Sequence, residues 1–535
     1  MKPLFPGMDD PGKKIKLGRG KRGSPRIYLE GLWLLKSGFE AHGKTSILFD
    51  ESAQTVTLLL DPESAKAIAG EGAVVATRAV SGKRKRGKTV PVIDVQNKEL
   101  DRVFGDAKEL IVQAGRNEIR ITRTMAQELR EERERAKPNN WEVSLYSGAG
   151  LLSLAAEQAG AKPVLAIERW DKAVQALVTA RRGLRVLEAP VQEVALAGAR
   201  HQDRFRLPRN PYLLTAGVPC EPYSRKGGKG LKACDPHELA DQALYTVSLI
   251  WAMNPINVIL ENVPEFLDVA GSVVQALRYV GYHVAHDVLD PAEFGYATRR
   301  PRSVIVATTA PGFSFPKRRG RKLSGQSLRE LLLVPDDPYL SQLPARQGGW
   351  FSIKEGEKKH RAWVKAGKPL DGNRIPSRFS GLDQNLFNWL HGRDSKGRKK
   401  KGHPAKTFEY SDAVVPTITK TMHKTDPQGP YLHHPRKRDL YRLLTTEEVG
   451  RLLGVPRTYA QKVYDSADGR YSLVTELYGQ GVHVPLFREV VERLPGGRRV
   501  PRTITVKGSV RNPAPVVPMY YGSGPLYSAL PWGWL

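Results

Sequence analysis

The sequence predicts an α/β protein: a parallel, Rossmann-like sheet, a smaller irregular domain inserted late in the chain, and a β-rich domain ahead of both. Three observations predict it. Between 141 and 310, short apolar runs (EVSLY, VLAIE, YLLTA, NVILEN, SVIVA) alternate with stretches of helical periodicity, as strands joined by crossover helices require. Between 311 and 440 the period is lost and Gly, Pro, Lys, Arg and Trp dominate. Between 26 and 122, alternating apolar residues and hairpin-like pairs read as strands.

Composition narrows the function. The chain has 535 residues, 40% of them hydrophobic. At about 150 residues per domain this allows three or four domains and excludes global disorder. Two cysteines, Cys220 and Cys234, exclude a disulfide framework and a Cys-based structural zinc site. No metal-ligand cluster stands out, and none is expected. No apolar run approaches the roughly 20 residues of a membrane helix, and the N-terminus has no secretory h-region, so a cytoplasmic protein is expected. Lys and Arg number 84 against 55 Asp and Glu, a formal charge of +29. Basic runs at 14–22, 83–88, 317–322, 397–402 and 435–438 point to a polyanion. Nucleic acid suits this better than a membrane, because no basic amphipathic helix dominates.

Taken in order, 1–25 reads as a basic disordered arm. Residues 26–122 form the β-rich accessory domain, with an internal repeat (26–60 and 90–122) linked by the basic SGKRKRGK. The stretch GLWLLKSGFEAHG resembles swapped-hairpin DNA-binding modules of the SymE/AbrB type, which implies a DNA-binding and dimerising role. Residues 123–140 read as a charged helical linker closed by Pro138. The α/β domain spans 141–310, the irregular basic domain 311–440, and returning helices 441–499. The tail 500–535 has no period.

Four motifs carry chemistry. In Tyr146-Ser147-Gly148-Ala149-Gly150 a strand runs into a Gly turn that opens a helix, a place where backbone N–H groups meet a ligand. Glu168 lies 20 residues beyond Gly148, at the end of the next strand, where a carboxylate can accept from ribose hydroxyls. A GAG turn fits a nucleoside better than a dinucleotide. In Gly217-Val218-Pro219-Cys220-Glu221-Pro222-Tyr223-Ser224 the cysteine sits at the carboxyl end of a strand, where open α/β sheets place ligands. It can act as a nucleophile if its thiolate is stabilised, although a lone Cys is usually inert. In Glu261-Asn262-Val263 a buried strand ends in a carboxylate that burial would push up to hold a proton near neutrality. In Arg299-Arg300-Pro301-Arg302 the alternate arginines point one way in extended chain and suit a base carbonyl and an anion.

The order of these motifs resembles the DNA (cytosine-5) methyltransferase family over about 141–495. Pro416-Thr-Ile-Thr419, the segment Arg442 to Pro456, and Tyr478-Gly479-Gln480-Gly481-Val482 agree with it. The resemblance implies S-adenosylmethionine over the Gly turn, bound by Tyr146, Ser147, Gly148, Gly150, Glu168, Trp170, Pro219, Gln480 and Val482. It implies double-stranded DNA as partner, a flipped cytosine attacked at C6 by Cys220, and Glu261 on N3 and the exocyclic amine. Arg302 would hold the base O2 and Arg300 would brace the Cys loop or a phosphate. Pro219, Ser224, Asn262 and Val263 would line the base site, and 311–440 would read the target sequence.

The sequence departs from the family's pattern at four places. Glu221 stands where Gln follows the catalytic Cys. Ala189 and Pro190 stand where an Asp meets the adenine amine. Thr298 replaces the Gln of Gln-x-Arg-x-Arg, and Gln480-Gly481 replaces Asn followed by Ser or Ala. An RNA cytosine-5 methyltransferase and a DNA-binding regulator with a vestigial core are the alternatives. The biological setting stays open between a cognate restriction enzyme as partner, a solitary or phage-protecting methylase, and regulation.

Overall fold

Five of the apolar runs become the central strands of one sheet, because each is buried on both faces and a helix can return only above or below it. The computed structural model describes residues 13–20, 23–63, 73–200, 204–223, 241–320, 328–352, 407–424 and 430–496, with 354, 355, 358 and 365. These divide into two units, the first comprising 1–137 with 272–284, the second the remainder.

The second unit holds a seven-stranded sheet. Its strands are β1 (Trp141–Leu145), β2 (Lys162–Glu168), β3 (Arg185–Glu188), β4 (Leu213–Gly217), β5 (Asn257–Asn262), β6 (His283–Leu289) and β7 (Arg302–Thr308), in the order β3-β2-β1-β4-β5-β7-β6. Strands β1 to β5 run parallel, with helices α1 (Leu151–Gln158), α2 (Asp171–Ala180), α3 (Val191–Arg200) and α4 (Gln242–Met253) among their crossovers. The chain winds outward from β1 to β3, then starts again on the other side at β4. This reversal opens a crevice at the carboxyl ends of β1 and β4.

Two features of the sheet differ from the sequence reading. The strand SVIVA is β7 and runs antiparallel to β5, with Asn262 opposite Ser303. Strand direction leaves no trace in a run that is apolar on both faces. Strands β3 and β6 were not expected. They are the sheet's two edges, and their residues are mostly part-buried or exposed rather than continuously apolar.

The expected returning helices are α5 (Thr446–Leu452), α6 (Arg457–Ser466), α7 (Tyr471–Gln480) and α8 (Val484–Val491). A capping box starts α5: Thr445 accepts from the Glu448 N–H, and Glu448 accepts from the Thr445 N–H. The Glu448 carboxylate also takes a bidentate Arg442 at 2.6 and 2.7 Å, and both side chains are fully buried. The expected irregular domain contains a small sheet, with strands 351–352, 440–442, 431–433 and 407–408 in that order. Most of the stretch between 353 and 406, with its basic run 397–402, lies outside the described residues, as do 1–12 and the tail from 497.

The first unit confirms the internal repeat in its strand pairing. Copy one is the strand Pro25–Glu30, the short helix Trp33–Lys36 and the hairpin Lys44–Asp50 with Thr55–Leu59. Copy two is Lys88–Gln96, Glu99–Phe104 and the hairpin Glu109–Ala114 with Glu118–Arg123. Ile27, Leu29 and Leu34 in the first match Ile93, Val95 and Leu100 in the second, and all are buried. The leading strands pair antiparallel with Tyr28 opposite Asp94, and the hairpins pair with Thr57 opposite Arg120. Each central pair joins a residue to its counterpart, as a two-fold axis requires. The two copies of the repeat thus pair with each other within one chain. The expected disordered arm also changes: Lys13–Lys16 pairs with Glu109–Ala114, and Gly18–Arg19 with Pro25–Glu30. The expected linker helix is Met125–Arg135, N-capped by Thr124, and it belongs to the first unit.

One core residue breaks the apolar pattern. Glu142 in β1 is fully buried and accepts from Ser153 Oγ at 3.0 Å and Thr215 Oγ1 at 2.5 Å. Burial pushes its carboxyl up to about 7, against the two hydroxyl donors. The unfolded carboxyl ionises near 4.5, so the folded state holds the proton more tightly between these values. Stability is full below the lower value and falls as pH rises toward the upper one. Glu142→Gln keeps the shape, and the hydroxyls can turn to suit the amide. In urea unfolding at pH 5 and pH 8.5, the variant should gain up to about 3 kcal/mol on wild type at the higher pH only. An equal difference at both pH values would show that Glu142 is not protonated in the fold.

Candidate active site

The Gly turn leaves β1 through three left-handed residues: Tyr146 (φ 52°), Gly148 (φ 53°) and Gly150 (φ 73°). Gly150 needs to be glycine twice over, since a Cβ there would lie 2.8 Å from both Leu177 Cδ2 and Tyr459 Oη. Tyr459 from α6 donates to the Ala149 carbonyl at 2.8 Å and pins the turn. The Tyr146 hydroxyl donates to the Gln242 carbonyl of α4 at 3.0 Å, and Ser147 Oγ donates to Ser144 O at 3.1 Å.

Glu168 ends β2 and gathers this region. Its Oε2 accepts the Gly148 N–H at 2.7 Å, and its Oε1 accepts the Arg169 and Trp170 N–H groups at 2.8 and 2.9 Å. A carboxylate oxygen has two lone pairs, so the group keeps acceptor capacity for a ligand hydroxyl. Trp170 packs, half-buried, against the apolar core. A pocket opens beside the turn, walled by Tyr146, Ile167, Arg169, Val191, Gln192, Pro219 and Gln242.

Cys220 sits at the carboxyl end of β4, in a turn closed by the Tyr223 N–H on its carbonyl at 3.0 Å. Asn262 holds this loop: its Nδ2 donates to Val218 O at 3.3 Å, and its Oδ1 accepts the Val263 N–H at 2.7 Å. Asn262 and Val263 thus position the Cys loop against β5, and Ser303 Oγ binds Val263 O at 2.8 Å. Ser224 and Cys234 lie outside the described residues.

Glu261 is 7% exposed and meets Arg302 Nε at 2.9 Å. Burial pushes its carboxyl above the ordinary range, with Arg302 and Arg300 opposing the rise. Burial likewise pushes the Cys220 thiol up; Glu221 and Glu261 add to this, while Arg302 and Lys420 oppose it. Glu221 pairs with Lys420 Nζ at 2.7 Å. Desolvation would raise its carboxyl, but the Lys420 hydrogen bond and charge hold it below the usual range.

Arg300 departs from its expected role. It neither braces the Cys loop nor faces a phosphate, because its guanidinium is 2% exposed and occupied. It donates to Ile418 O and Gly479 O at 2.9 Å each, and to Gly481 O. Burial, together with the neighbouring Arg302 charge, lowers it to about 9, with Glu261 and Cys220 opposing the fall. It is a positioning residue that ties the Pro416–Thr419 segment to the Gly479–Gly481 segment. Thr298 and Arg299 join the same seam, since the Arg299 N–H binds Val415 O at 2.9 Å and the Val415 N–H binds Ala297 O at 2.8 Å. Gly481 abuts the start of α1: a Cβ on it would lie 2.4 Å from Leu151 Cδ1. Val482 is buried there, and Gln480 is exposed.

The structure thus brings Cys220, Glu261 and Arg302 together, and gathers Tyr146, Gly148, Glu168 and Pro219 around one neighbouring crevice. Lys420, Gln192, Arg169 and Gln242 were missed by the sequence reading. Gln192 lies two residues past Pro190, where the usual acid is absent, and only the fold shows that it reaches the pocket. Lys420 directly follows the Pro416–Thr419 motif, which was the one available signal. The two charges beside Cys220 make a test. Below the thiol's midpoint, alkylation by iodoacetamide, followed at Cys220 by peptide mass, should quicken several-fold in Glu221→Gln and slow in Lys420→Met. Equal rates in all three proteins would mean these charges do not reach the thiol.

Comparison with known proteins gives a family. Residues 142–495 match the family described as C-5 cytosine-specific DNA methylase. The chain is 30% identical over 249 residues to the type II methyltransferase M.NaeI of Lentzea aerocolonigenes, covering 42% of this chain and 57% of that protein. It is 31% identical over 170 residues to M.NgoMIV of Neisseria gonorrhoeae, covering 31% of this chain and 50% of that protein. The chain therefore spans little more than half the length of these two relatives. A crystal structure of S. pombe Dnmt2 methyltransferase aligns with a TM-score of 0.44 and 18% identity, over 66% of this chain and 98% of that one. With a match that runs from β1 through α8 and takes in the Gly turn, the Cys loop, Glu261 and the Arg300 seam, this chain belongs to the C-5 cytosine-specific DNA methylase family.

Proposed function

We propose that this protein methylates C5 of cytosine in duplex DNA, with S-adenosylmethionine as methyl donor. The observation that carries the reading is the convergence of Cys220, the buried Glu261 and Arg302 at the carboxyl edge of β4 and β5, beside the Gly turn.

The residues around the turn fit the cofactor. Glu168 offers a carboxylate to ribose hydroxyls, Tyr146, Ile167 and Val191 offer walls to a flat base, and Gln192 offers an amide where the usual acid is missing. S-adenosylmethionine bound there supplies an electrophilic methyl group. Pro219 separates this wall from Cys220.

The rest of the chemistry belongs to the chain. A cytosine stacked in the duplex hides C5 and C6, so the base must turn out into the site, at a cost of about a few kcal/mol. The Cys220 thiolate then adds to C6, and the ring's C5–C6 electron pair becomes available at C5. Glu261, holding a proton more tightly than an ordinary carboxyl, gives or shares it at N3 as negative charge develops there. Arg302 orients Glu261 and offers its remaining N–H groups to the base carbonyl. C5 would accept the methyl group with that pair as the donor's sulfonium is released as a neutral thioether; loss of the C5 proton to water and departure of Cys220 as thiolate then restore the ring. The basic stretch 311–440 would read the target sequence, and the mark would shield DNA from a restriction enzyme of the same specificity.

Purified protein incubated with S-adenosylmethionine and mixed-sequence duplex DNA should yield 5-methyldeoxycytidine by nucleoside mass analysis, and Cys220→Ser should yield none. The single-turnover rate should rise with pH as Cys220 ionises, with the rising limb at lower pH in Glu221→Gln. A mark found on RNA alone would move the substrate. No mark on either polymer, despite tight binding, would leave a DNA-binding protein without this activity.

A further inference from the structure

We propose that the N-terminal unit makes its own contact with duplex DNA, through the two-stranded ribbon formed by Ser81–Lys85 and Lys88–Gln96. The choice of duplex DNA over other polyanions rests on the proposed reading of the chain as a DNA-modifying enzyme.

The ribbon is a tight hairpin. Lys83 faces Val90, Arg84 faces Thr89, and Lys85 faces Lys88. Its turn residues Arg86 (φ 50°) and Gly87 (φ 75°) are both left-handed, as the two-residue I′ turn matched to strand twist requires. Residues 81–89 are all exposed, so the distal ribbon gains nothing from apolar packing. It carries Lys83, Arg84, Lys85, Arg86 and Lys88, and no acidic residue lies between 73 and 93.

The fold answers little of that charge. Glu30 takes Lys83 at 3.2 Å and Lys85 at 3.3 Å. Among the described residues, Arg84, Arg86 and Lys88 have no ion-pair partner. Lys85 and Lys88 sit directly opposite each other, an arrangement that costs stability in a sheet. Lysines on an edge strand can serve to block edge-to-edge pairing. That accounts for Lys83 and Lys85, but not for Arg86 in the turn or Lys88 on the inner strand. A polyanion laid along the ribbon turns the repulsion into attraction. The duplex major groove, about 12 Å wide, admits a two-stranded ribbon, and guanidinium forks fit its phosphates and guanine edges.

The test uses the full chain and the triple variant Arg84→Gln/Arg86→Gln/Lys88→Gln, none of whose residues belongs to the catalytic site. Duplex binding is measured across a salt series. The variant should bind about tenfold more weakly at physiological salt, and its log–log salt slope should be shallower by about 2 to 3, at about 0.9 for each phosphate no longer neutralised. Arg84→Lys/Arg86→Lys should restore most of the slope. Methyl transfer at saturating DNA and the thermal midpoint should match wild type. An unchanged affinity and slope would overturn the proposal, as would equal loss of binding from a variant with a lowered thermal midpoint and no rescue by lysine. Preference of the ribbon for double-stranded RNA, read as a larger loss on RNA than on DNA, would also overturn it. A lost slope with no 5-methyldeoxycytidine from either protein would leave the ribbon standing and remove the catalytic reading. Methylation with untouched binding would do the reverse.

Discussion

A single buried guanidinium holds the second unit's late segments in place. Arg300 gives its hydrogen bonds to carbonyls of Ile418, Gly479 and Gly481, residues more than a hundred positions further along the chain. A charge so deeply buried needs partners, and both of its terminal nitrogens have them, while the three carbonyls would lose these donors without it. The seam it closes is tight. A Cβ on Gly479 would lie 2.4 Å from Lys420 N and Cα, so only glycine lets the two backbones meet. That approach sets Lys420 within reach of Glu221, next to Cys220. A residue that does not touch the thiol therefore decides which charges surround it.

The candidate catalytic groups depend on sheet direction as much as on residue type. Because β7 runs antiparallel to β5, its first residue, Arg302, arrives at the same edge where β5 ends in Glu261 and Asn262. A parallel strand would have carried Arg302 to the far edge. The same edge receives the Gly turn from β1, Glu168 from β2 and Cys220 from β4. Four parallel carboxyl ends and one antiparallel amino end thus converge on one crevice. Burial then tunes it: the same desolvation that raises the Glu261 carboxyl also raises the Cys220 thiol, so Arg302 serves both groups.

The N-terminal unit solves a different problem. A strand, short helix and hairpin cannot bury their apolar face alone, and here the partner is a second copy in the same chain. The linker between copies, freed from making the core, is the segment that carries the exposed basic ribbon. Its sequence is constrained by the hairpin turn and by charge, not by packing.

The amino-acid sequence by itself determined the elements whose signal is local. Five buried strands were legible as continuous apolar runs, the Gly turn as glycines between strand and helix, and the late helices as returning helical periodicity. The internal repeat was legible because each copy must bury the same residues. Tertiary structure decided what depends on partners far along the chain. Strand β7's direction, the edge strands β3 and β6, the pairing of the two copies, and the ordering of Lys13–Lys16 all follow from which neighbour supplies the hydrogen bonds. Arg300 and Arg302 look alike in sequence, two residues apart before a strand, yet one is a buried staple and the other meets Glu261. Gln192 carries no motif, and Lys420 only adjoins one. Their places come from backbone segments brought together across the fold, and a contact of that kind has no periodicity to read.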